Sequence, residues 1–281
     1  MSAPGQRLLE AHEPARSGTG TELLNRHSAW TLWAGVYLAL AAASLVLMSV
    51  DERLLQGVSV WTKPFKFQLS LAVYFLTLAW FASLLGDGYF RTWRGRLMTW
   101  IPIFWAAAEV AYITWQGAIG ETSHFNRTTP FHAIAYSLMG LGAVTLVSVC
   151  LWMALEILVA TRGRRRSPYV WAVVSGLALT FALGGGFGGY LGNQSGHWVN
   201  APATDAGGLW LFGWTREGGD LRAAHFFGMH AMQVLPLIGW LLARRLSRPA
   251  ALTGVGLVSL VYAAFTTFVF FQAIAGRPLL A

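Results

Sequence analysis

Seven long apolar stretches, at roughly 29–49, 67–86, 98–119, 131–159, 169–191, 225–243 and 250–274, constrain this chain more than any motif does. About 20 residues of helix cross the hydrocarbon of a bilayer, where every backbone group must be paired within the segment itself. A barrel strand needs only about 10 residues of strict alternation, and these Gly-rich runs lack that alternation. The expected fold is therefore all-α: a polytopic membrane protein built as a seven-helix transmembrane bundle. Composition agrees, with 55% hydrophobic residues, 11% charged residues and a mean hydropathy of +0.50.

The division implied is a polar N-terminal segment, 1–28, followed by one transmembrane domain, 29–281. The N-terminal segment carries Arg7, Arg16 and Arg26 without an apolar core, which argues against a cleaved signal peptide and for retention of the first helix as an anchor. Arginines cluster at Arg91/Arg94/Arg96, at Arg162/Arg164/Arg165/Arg166 and at Arg244/Arg245/Arg248, in alternate connections that must share a side. The positive-inside rule makes that side the cytoplasm, so the N-terminus is expected inside and the C-terminus outside, in the inner (plasma) membrane of a bacterial cell. Dispersal of the arginines over short loops explains the pI of about 10.1 without nucleic acid. The single cysteine, Cys150, excludes an internal disulfide and any multi-cysteine metal cluster.

The remaining connections, 51–66, 120–130 and 192–224, are then external, facing the periplasm or exterior, and they hold an uneven share of the polar residues. The stretch Trp61-Thr62-Lys63-Pro64-Phe65-Lys66-Phe67 contains the only two lysines of the chain. They stand near the start of a helix, where the dipole disfavours a cation. Either both reach lipid headgroups beside Trp61 or they face an anionic partner inside the bundle. Five of the seven histidines, His124, His132, His197, His225 and His230, map to the same half, while His12 and His27 belong to the N-terminal segment. Glu109 lies near the middle of the third span, Gln116 follows on nearly the same face, and Glu121, His124, Asn126 and Arg127 come at its exit. A carboxylate at the depth of Glu109 is costly and is expected to face the bundle interior. The sixth span opens with Arg222, His225, His230 and Gln233 within an arc of about 140°.

These residues suggest a membrane enzyme or electron carrier that holds haem, or a zinc, iron or copper ion, through His132, His225 and His230. Glu109 and Glu121 would act as proton carriers or as a general base, and Lys63, Lys66, Gln116, Arg222 and Gln233 would hold a lipid-like or anionic substrate. Two other readings compete with it. One is a proton-coupled transporter or channel lined by Glu109, Gln116, His230 and Gln233; the other is a sensor or assembly subunit whose polar layer only holds helices in register. Gly185/Gly189 and Gly188/Gly192 form small-xxx-small pairs in the fifth span, fit for close helix packing, for self-association or for a flat cofactor. The long external segment 192–224 is expected to fold over the mouth as a lid. The last span has no lysine for a retinal Schiff base, and no phosphate-binding loop, nucleophile elbow or zinc-protease motif occurs.

Overall fold

The computed structural model describes residues 19–86, 88–163, 165–210 and 212–280. Arg7, His12, Arg16 and Arg164 lie outside the described residues. Seven helices are long and apolar enough to cross a membrane. They are α1 Thr19–Val50, α2 Thr62–Phe81 with a 3-10 extension Ala82–Leu85, α3 Trp93–Ile119, α4 Pro130–Ala160, α5 Pro168–Gly192, α6 Leu221–Arg245 and α7 Arg248–Ile274. Two small hairpin ladders pair β1 Leu54–Leu55 with β2 Val58–Ser59, and β3 Trp198–Val199 with β4 Gly219–Asp220. Most helices run several residues beyond the apolar stretches that announce them, because the polar turns at their ends still complete the backbone ladder.

The boundary between the polar segment and the first span falls on a kink. His27 has extended backbone angles (φ −160°, ψ 94°) inside α1. Its Nδ1 accepts the Trp30 backbone N–H at 3.2 Å, so the imidazole caps the spanning part of the helix. Its Nε2 lies 3.0 Å from the Thr99 hydroxyl, which itself donates to the Gly95 carbonyl and so receives the histidine proton. Helix α4 starts with Thr129 accepting the His132 N–H and Pro130 in the first turn.

Trp30, Tyr37, Phe75, Leu78, Met98, Met153, Ile157, Leu177 and Met232 join one core drawn from α1 through α6. Two ends can be told apart by their contacts. At one, Arg53 donates to the Ala118 carbonyl, and the Asp205 N–H donates to the Gln56 carbonyl, tying the connection after α1 to the end of α3 and to the connection after α5. At the other, Arg248 reaches the Arg166 carbonyl, and Arg94 pairs with the buried Glu156, which also accepts from the Trp152 indole. We call these the lid end and the arginine end.

Helix α5 is not regular. Residues Thr180–Gly185 form a π-helical segment between the α-helical parts Pro168–Leu179 and Gly186–Gly192. Helix α6 carries Pro236, which lies against Gly176 in the regular part of α5 that precedes the π segment. The two helices touch backbone to backbone: a Cβ on Gly228 would sit 2.5 Å from the Gly184 nitrogen. Thr180 stitches the contact, accepting the Met232 N–H at 3.0 Å and donating to the Met229 carbonyl at 3.3 Å. The close-packing face thus uses Gly184 rather than the expected Gly185/Gly189 pair, because the π turn shifts the register by one residue. Gly228→Ala should lower the melting temperature of detergent-purified protein, by about 1–3 kcal/mol of overpacking. Gly140→Ala, with nothing within 4 Å, should not lower it.

Candidate ligand site at the lid end

The segment between α5 and α6 folds over the mouth of the bundle, and one arginine organises it. Asp220 caps α6, its carboxylate accepting the Arg222 N–H at 3.0 Å. The Arg222 guanidinium turns back to the same carboxylate at 2.9 and 2.7 Å, reaches Asp205 at 3.1 and 2.8 Å, and donates to the Gly213 carbonyl at 2.7 Å. Asp220 also accepts the Thr215 N–H, and Asp205 takes a further hydrogen bond from His197 Nε2 at 3.0 Å. Burial alone would raise the Asp205 carboxyl, but the His197 hydrogen bond and the Arg222 charge outweigh it and bring it down to about 2. Burial also pushes the His197 imidazole below its usual range, with Asp205 only partly opposing.

The two lysines divide their work. Lys66 Nζ donates to the Phe212 carbonyl at 2.8 Å, clamping the lid to α2. That carbonyl, with Asp205 and Asp220 in electrostatic reach, answers the unfavourable helix dipole. Trp61, just before them, is pinned by its indole N–H to Asp51 at 2.8 Å. Lys63 is half-buried and makes no hydrogen bond or ion pair among the described residues. It lies in electrostatic reach of Arg222, Asp205 and Glu109.

Glu109 is 7% exposed, ten residues before the end of α3 and so roughly 15 Å along the helix from it. His124 nevertheless brings its Nε2 to 3.9 Å from the Glu109 carboxylate. The connection 120–129 therefore folds back along the bundle, with Ser123 and Asn126 buried, rather than simply leaving it. Irregular backbone at that position is tolerable because protein surrounds it. Burial, then the charges of Lys63 and His225, push His124 well below its usual range and keep it neutral. Gln116 shares the Glu109 face at two helical turns and is 0% exposed, and neither its amide oxygen nor its nitrogen has a partner. The neighbouring Gln68, by contrast, accepts from Ser44 at 2.8 Å and donates to Thr114 at 3.2 Å.

His132, His225 and His230 do not form a ligand set. Among the described residues no group of three or more His, Cys, Asp or Glu side chains is placed to hold a metal ion. His132 bonds Thr129 and pairs with the exposed Glu121 at 3.2 Å, at the start of α4. His225 donates from Nδ1 to the Gly184 carbonyl at 2.9 Å, and its ring fills the space where a Cβ on Gly188 would stand. The Gly184 and Gly188 positions thus receive the α6 backbone and an imidazole, while Gly186 and Gly189 face open space. The His230 ring lies tilted against Phe226, with centroids 4.2 Å apart. Gln233 donates to Thr77 at 3.0 Å, while its buried oxygen is unpaired. Arg222, expected to meet a substrate, has its donors taken by the lid. An open cavity of about 450 Å³ lies at the arginine end, beside Glu22, Asn25, Arg26, Ser83 and Arg91. Its Arg26 is already committed to Glu22, Ser83 and the Trp80 carbonyl.

The architecture defines a helical protein with seven potential membrane spans and a lidded polar layer at one end. No protein-family model, curated protein or solved structure matches the chain. Sequence reasoning missed Asp205, Asp220, Gln68 and Ser44; only Asp220, an Asp directly before a helix, carried a local signal as a cap.

The lid should loosen in acid. His197 titrates lower in the fold than free, so its contribution is complete above about 6.5 and declines below it; Asp205 follows only between about 4 and 2. Amide exchange across 198–215 should therefore accelerate on going from pH 7.5 to 5.5, after correction for intrinsic rates. Arg222→Gln should accelerate it about 100-fold at either pH, since about 3 kcal/mol is typical for stranding a buried carboxylate.

Proposed function

We propose that this chain is a multi-pass membrane transport protein whose lid end faces the exterior or periplasm and takes up a small polar ligand between Lys63, Glu109 and Gln116. One observation carries the reading: Gln116 is fully buried with both amide atoms unpartnered, on the face that also buries Glu109. An orphaned amide costs about 1–3 kcal/mol, so a layer meant only to hold helices together would be expected to satisfy it, as it satisfies Gln68. The arginine clusters at the opposite end support the orientation. The π segment of α5 and the proline of α6 support a bundle able to rearrange, since broken helices commonly flank transport sites. Glu109, with the neutral His124 beside it, is the proton-exchanging group.

The arginine end favours a second reading. Glu156 is clamped by Arg94 and Trp152, and although the Tyr89 hydroxyl is buried there without a partner, no unpartnered buried amide or carboxylate leads through that half among the described residues. A receptor would bind the same ligand without passing it. Two measurements decide. In the first, Gln116→Leu should raise the melting temperature of ligand-free protein; a fall of similar size would make the amide structural and end the ligand-site reading. In the second, liposomes holding protein and a trapped pH dye are challenged with small external amino acids, carboxylates and amines. Solute-dependent acidification, absent in Glu109→Gln, supports transport; binding without acidification supports the receptor.

A further inference from the structure

The charges at the lid end fall into two groups. Arg222, Asp205 and Asp220 answer one another, and Lys66 is answered by the Phe212 carbonyl. Setting aside the solvent-exposed charges, among the described residues this leaves one cation, Lys63, and one carboxylate, Glu109, without a hydrogen bond or a contact with each other, yet within mutual electrostatic reach. Glu109 has only the neutral His124 at 3.9 Å. Gln116, on the Glu109 face, offers one free donor group and one free acceptor.

We propose that the ligand is a small amphoteric molecule, bearing an acid group for Lys63 and an amine or similar donor for Glu109. This rests on the ligand-site reading above and narrows it. The physical reason is pairwise. An anion alone would answer Lys63 and leave Glu109 buried beside a new negative charge. A cation alone would do the reverse. A molecule carrying both groups answers each protein charge with its opposite, adds no net charge to an apolar bundle, and gives the Gln116 amide a partner at either group. Arg222 cannot serve as the acid-binding group, because two aspartates and a carbonyl already take its donors.

The test uses the full chain in detergent and measures dissociation constants by calorimetry. The amphoteric probes are L-alanine, 3-aminopropanoate and 4-aminobutanoate. Butanoate, butylamine and inorganic phosphate carry one kind of charge each. At least one amphoteric probe should bind at least 10-fold tighter than every single-charge control. Lys63→Met should then erase its advantage over butylamine, and Glu109→Gln its advantage over butanoate. The decisive comparison is made on the wild-type chain, so a variant that fails to fold does not blunt it. Equal or tighter binding of butanoate or phosphate, insensitive to Glu109→Gln, overturns the amphoteric class. No binding of any amphoteric probe overturns it as well. In either case a stabilising Gln116→Leu leaves the site itself standing, whereas a destabilising one removes both.

Discussion

An arginine at the rim of an apolar bundle must be met by carboxylates or remain in water, and the lid end of this protein is built around that requirement. Arg222 gathers Asp205 from the middle of the lid and Asp220 from its end, and adds the Gly213 carbonyl between them. Buried ion pairs contribute little net stability, because desolvation offsets the attraction, but removing one partner strands the others. The cluster therefore acts less as a source of stability than as a device for specifying one path for a Gly-rich segment. It works beside an apolar anchor, Phe212 and Trp214 of the segment packed on Phe226 of α6.

The same requirement, applied elsewhere in the layer, exposes a contrast. Ser44, Gln68 and Thr114 satisfy one another across α1, α2 and α3. Thr180 joins α5 to α6, and the His225 ring seats in a glycine gap. At these packing contacts most buried polar atoms are paired, although single atoms such as the Tyr37 and Tyr112 hydroxyls and the Gln233 oxygen are left over. Among the described residues Gln116 alone has two unpartnered buried side-chain atoms, and with Lys63 and Glu109 it forms the unanswered part of the layer. A place that a fold leaves incomplete while completing its surroundings is where a ligand is expected.

Much of the architecture was legible in the sequence because the bilayer limits the choices. Long apolar runs read directly as helices. The concentration of polar residues toward one end was also legible, as was the lid. What could not be read is who meets whom. Arg222 looked like a substrate-binding residue; its partners Asp205 and Asp220 are chosen by the path of a loop, which no periodicity records. The three histidines looked like metal ligands because one end of the bundle held them all. Shared depth does not imply shared azimuth, and His132 turns toward Glu121 while His225 turns toward Gly184. The fold-back that joins His124 to Glu109 left no signal, since a re-entrant loop and an ordinary one have the same composition.

The central claim is that the protein leaves Lys63, Glu109 and Gln116 to be completed by something else. An experimental density map of the protein purified in mild detergent from its own membrane, at a resolution that shows ordered small molecules, tests this most directly. The account predicts non-protein density between the Lys63 ammonium and the Glu109 carboxylate, in contact with the Gln116 amide. A map in which Lys63 extends to lipid headgroups, with Glu109 and Gln116 hydrogen-bonded to neighbouring side chains, would contradict it.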